Sequence, residues 1–179
     1  MDRDPISRRA STRLWIPFAA VLFLIALAVS ALVIPQLRLL HLLQGVIYVA
    51  ILVLARRNSP WAYGAGVAVA AVWNSLNLFI THLMQAGAVA IWSFLRSGQV
   101  RRPDTMMVTV AGIAHFVLII ACLDAVIHSQ NERKWRKFVL GGVVALAYFA
   151  VIVALARHID QRPASSLSAK RETLRLSKG

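Results

Sequence analysis

Cys122 is the chain's single cysteine. An intramolecular disulfide is therefore excluded, and a cysteine-based zinc site cannot be built from it alone. Its place in an apolar block makes it a small packing residue. Acidic residues are also scarce, with 7 Asp and Glu against 20 Lys and Arg. Only Asp124 falls inside a long apolar block, so the interior has no pair of carboxylates for acid–base hydrolysis. There is no nucleophile elbow, phosphate-cradling glycine loop or zinc-ligand spacing. These absences argue against soluble-type hydrolase or nucleotide chemistry, and a non-enzymatic role is the expectation.

Charge of either sign is low as well. Charged residues make up 15% of the 179, against about 25% in a soluble domain. What fills the chain instead is apolar, 59% of it, gathered into blocks long enough to cross hydrocarbon. The fold expected is an all-α, polytopic transmembrane helix bundle of about five spans plus one short interfacial helix. A basic segment, residues 1–13, leads into the bundle over residues 14–156, and a basic, Ser-rich flexible tail follows at 157–179.

A net charge of +13 would suit nucleic acid, but its distribution does not. The cations sit between or beyond the apolar blocks: Arg3, Arg8, Arg9 and Arg13 in front, then Arg56 and Arg57, Arg101 and Arg102, and Arg133, Lys134, Arg136 and Lys137. Helix ends anchored among anionic headgroups carry this pattern, and no nucleic-acid-binding motif accompanies it. The expected partners are membrane lipids, with a homo-oligomer or a larger membrane complex, and no nucleic acid. The expected location is a bacterial inner (plasma) membrane.

The spans are predicted at residues 14–34, 39–55, 61–84, 106–127 and 138–156, with the interfacial helix at 88–96. Ala28, Val29 and Ser30 resemble a signal-peptide cleavage site. The apolar run continues past them, so we read the first span as retained, with Pro17 in its first turn. Pro35 to Arg38 breaks it from the second span in an antiparallel hairpin. Asn58, Ser59, Pro60 and Trp61 read as cap, first-turn proline and interfacial aromatic for the third. Gly64 and Ala68 on that span, and Gly141 and Ala145 on the fifth, form small-residue seams at which helices approach closely in lipid. Pro103, with Asp104 or Thr105 as cap, precedes the fourth. The short connections favour an N-terminus inside; the basic tail favours the reverse.

The third span also carries a polar run, with Asn74, Asn77, Thr81 and Gln85 along one stripe and His82 beside it. On the second span His41, Gln44 and Tyr48 form another. In lipid these groups are expected to face other helices or a ligand. A rise of about 1.5 Å per residue puts Asn74 and His115 at one depth, within reach of a direct hydrogen bond. His41, Gln44, Tyr48, Asn77, Thr81, His82 and Gln85 become candidates for one shared pocket. That pocket would either join helices, each polar pair contributing about 0.6 kcal/mol, or hold a quinone, a lipid headgroup, a haem between His41 and His82, or a metal. The cofactor is left open, and no metal ligand set is assigned. Asp124 and His128, four apart, are read as a structural ion pair in preference to a proton-coupling site.

Overall fold

The computed structural model describes the backbone of residues 5–100 and 102–176, and the side chains of residues 14–100 and 102–156. All the regular structure described is helical: α1 Pro5–Val33, a 3-10 turn Pro35–Leu37, α2 Arg38–Arg56, α3 Pro60–Ser75, a π-helical turn Leu76–Ile80, α4 Leu83–Ser97, α5 Pro103–Ile127 and α6 Lys134–Leu176. Five stretches are long and apolar enough to cross a membrane: Leu14–Val33, Pro35–Arg56, Pro60–Ile80, Pro103–Ile127 and Lys134–Ala156. The all-α bundle and its number of spans are as the hydropathy predicts.

Several boundaries differ, each for a local reason. Because α1 begins at Pro5, Pro17 is interior to it and not in its first turn, which leaves the carbonyl one turn earlier without a backbone donor. Asn58 stops α2 in the left-handed region at φ 51°. The stop is closed by Asn58 N–H donating to Ala55 O at 2.9 Å and Ser59 N–H to Leu54 O at 3.1 Å, a double bond pattern that satisfies end carbonyls. Ser59 is then the N-cap of α3, with Pro60 in the first turn. On α5 the cap position belongs to Arg102. Thr105 is instead buried, its hydroxyl donating to Arg102 O at 3.1 Å, while Asp104 pairs with Arg102 at 3.3 Å. The backbone of α6 stays helical to Leu176, through most of the predicted flexible tail; residues 177–179 lie outside those described.

The largest departure lies between α3 and α4. The predicted third span runs unbroken to residue 84, yet the helix loosens into the π turn and ends at His82, whose φ is 53°. The short helix then begins at Leu83, five residues before its predicted start. The Asn74 amide and the Met84 side chain both reach Gly112 on α5, and the Met84 carbonyl lies at Thr109, so the chain moves only about one turn along α5 over the nine residues between them.

Small residues set the packing. A Cβ on Gly64 would collide with the backbone of Phe138, and one on Gly141 with the backbone of Trp61. α3 and α6 therefore meet backbone to backbone through the two predicted seams, the close approach that replaces hydrophobic drive in lipid. Gly87 likewise seats α4 on Thr105 and Thr109 of α5. Phe18, Ile25, Leu42, Val46, Phe79, Ile120, Val143 and Val151 point outward, as side chains facing hydrocarbon would.

Candidate functional site

The centre of the bundle is His115, which has no exposed surface. Its Nε2 lies 2.6 Å from the Tyr48 hydroxyl, joining α5 to α2. Phe23 of α1 covers one side of the imidazole at 4.1 Å between ring centroids, and Trp73 of α3 meets it edge-on at 4.7 Å. Phe23 also packs on Tyr48 at 4.3 Å and on Trp73 at 5.5 Å. Four helices thus each give one ring to a single cluster, and its one short hydrogen bond lies where water does not compete.

Asn74 lies beside this cluster. Its amide N–H donates to Gly112 O at 3.3 Å, and Gly112 is one turn from His115. The sequence placed Asn74 and His115 at one depth, and they share that level. The direct bond between them does not form: the Asn74 amide N–H is turned to Gly112 O, and His115 meets Tyr48 through Nε2. Asn74 Oδ1 and His115 Nδ1 are buried without a partner among the described residues, as is Nδ1 of the half-buried His41. Gln44 lines an apolar crevice with Phe23, Tyr48, Trp73 and Phe149 that is too tight to admit a water molecule.

No hydrogen bond joins the α2 stripe to the α3 stripe of the predicted shared pocket among the described residues. Asn77 turns back on its own helix, its amide donating to Trp73 O at 2.9 Å. Thr81 donates to Asn77 Oδ1 at 3.3 Å and receives Leu83 N–H at 3.5 Å. Gln85 donates to Leu78 O at 2.6 Å. The polar run is a set of staples across the helix break: a π turn and a left-handed residue free backbone groups that hydrocarbon would leave unsatisfied, and these side chains bind them. His82 is exposed at the break. No ring contact or hydrogen bond joins it to His41 among the described residues. Nor does any group of three or more His, Cys, Asp or Glu able to hold a metal occur among them.

His128 Nδ1 lies 3.2 Å from Asp124 Oδ1 and 2.9 Å from Asp124 O, the predicted pairing, at a partly exposed helix end. Cys122 is fully buried in the core, with its sulfur against Gly66.

Sequence reasoning missed Phe23 and Trp73. Both sit in apolar runs where nothing marks a ring that will cover a histidine from one that will face lipid. It also missed Thr109, whose hydroxyl donates to Met84 O at 3.0 Å and holds α4 on α5. No known protein family, curated protein or solved structure matches the chain.

Proposed function

We propose that the chain is a small, non-enzymatic accessory or scaffold subunit of a bacterial inner membrane, acting as a homo-oligomer or within a larger membrane complex. One observation carries this reading: most of the polar groups of the two stripes and the central cluster are spent on one another or on the backbone. Tyr48 binds His115 between Phe23 and Trp73, and Asn77, Thr81 and Gln85 bind the broken backbone. The small-residue seams of α3 and α6 are consumed inside the molecule, so the surface left for a partner is elsewhere. The best candidate is α4, whose 15 residues are too few to span and whose Val89, Trp92 and Leu95 point outward on one face. Native membranes solubilised in mild detergent should give a species well above the 19.7 kDa of one chain on blue-native gels. Migration at the monomer mass would contradict the proposal.

A second reading, from a different class, draws on the unpartnered buried atoms of His115, Asn74 and His41. Under it the protein is a small transporter or redox-linked protein holding a quinone, lipid, haem or metal at those residues. Protein purified from native membrane would then show a Soret absorption band or yield quinone on solvent extraction, and either finding would displace the scaffold reading.

A further inference from the structure

The two ends of the bundle carry their cations differently. Where α4 turns into α5 and α1 into α2, each described arginine has an internal partner. Arg38 donates to Ala31 O at 3.0 Å, Arg96 lies 4.7 Å over the Trp92 ring, and Arg102 pairs with Asp104 at 3.3 Å. At the opposite end, where α2 turns into α3 and α5 into α6, Lys134 caps α5 through Ile127 O and Ser129 O at 2.7 and 3.0 Å. The side chains of Arg56, Arg57, Arg133, Arg136 and Lys137 make no hydrogen bond or ion pair among the described residues. Among the residues whose side chains are described, the acidic ones at that end are Glu132, which is exposed, and Asp124, which is engaged with His128.

The helix order places these cations at one end of the bundle. The contact of Gly64 with Phe138 and of Trp61 with Gly141, within about the first two turns of each helix, puts the opening turns of α3 and α6 at neighbouring positions on that end. Arg56 and Arg57 precede one of those turns; Arg133, Arg136 and Lys137 lie in or just before the other. Arg136 and Lys137 are adjacent in the first turn of α6, with Arg133 just before it, so like charges lie close in sequence there. The positive end of the α6 dipole adds to the same field. Trp135, about half exposed at 52%, stands beside them as an aromatic at headgroup level.

We propose that this end is a binding site for the headgroup of an anionic phospholipid, its phosphate held between the α2–α3 turn and the first turn of α6. The ligand chemistry is a phosphodiester with net negative charge. The lipid form is favoured because the apolar outward faces of α2 and α6 continue from the cations and would take the acyl chains. This inference does not depend on the scaffold reading.

The test is native mass spectrometry of the whole chain from a neutral detergent, with phosphatidylglycerol, phosphatidylcholine or inorganic phosphate added in turn. The site predicts retained phosphatidylglycerol, little phosphatidylcholine and no retained phosphate. Arg133→Gln with Arg136→Gln should weaken retention by about fivefold per residue removed, and adding Arg56→Gln with Arg57→Gln should weaken it further. Arg96→Gln, at the other end, should change nothing. Equal retention of the two lipids by the unaltered protein would overturn the proposal, as would undiminished retention in the fourfold variant. Retention of phosphate as strong as that of the lipid would replace the lipid with a free anion and equally overturn it.

Discussion

At the scale of the residue, the structure turns on His115 and what surrounds it. A buried imidazole with one partner is costly to disturb, since losing that partner leaves a polar atom in a low-dielectric interior. Tyr48→Phe removes only the hydroxyl and should destabilise the detergent-solubilised protein by about 1–3 kcal/mol, seen as a lowered midpoint of thermal unfolding. If the pair is structural, Tyr48→Phe combined with His115→Leu should cost less than the sum of the two single losses. Additive losses would mean that the two side chains do not work as a unit. His82 makes the opposite prediction. A left-handed conformation at a side-chain-bearing residue costs about 1–2 kcal/mol, so His82→Gly should leave the unfolding midpoint unchanged or raise it. A clear fall would show that the imidazole does work that the backbone geometry does not require. The depth shared by Asn74 and His115 was legible from the sequence, because counting along antiparallel helices fixes level. Which of two nearby groups takes the histidine was not, because that depends on rotamers and on how α1 and α2 lean inward.

Among the elements, hydropathy was enough to find every spanning stretch, since hydrocarbon admits only long apolar helices here. The break between α3 and α4 was hidden. Leu76, Leu78, Phe79 and Ile80 continue the apolar pattern, and Asn74, Asn77, Thr81 and Gln85 suit an intact helix face as well as they suit a stapled break. Only the fold-back of Asn77, Thr81 and Gln85 onto backbone distinguishes the two. The seams on α3 and α6 were legible as places of close approach, but a sequence does not say whether such a seam meets a neighbour in the same chain or in another. Here they meet each other. Gly64→Leu must therefore push α6 away from α3, because the new side chain meets the backbone of Phe138. The expected cost is about 3 kcal/mol or more, read as a lowered unfolding midpoint, with any oligomer retaining its stoichiometry. A variant of unchanged stability that fell apart into monomers would place the seam between molecules.

Over the whole molecule, the arrangement follows from one inversion. Rings and amides occupy the centre or mend the backbone, while Leu, Ile, Val and Phe side chains cover the flanks. In water that surface would be a large exposed apolar patch of the kind that drives aggregation. In a bilayer it is the side in contact with solvent, and the charge at the two ends falls at the headgroups. The sequence made this inversion legible through the length of its apolar runs and through the placing of Arg and Lys between them. It was silent on partner and ligand, which depend on surface shape and on side-chain orientation. The most direct measurement is extraction of native membranes with alkaline carbonate: the protein should stay entirely with the membrane pellet and be released only by detergent. Recovery in the carbonate supernatant would contradict the account, because a chain freed without detergent could not owe its inward-turned polar groups to surrounding hydrocarbon.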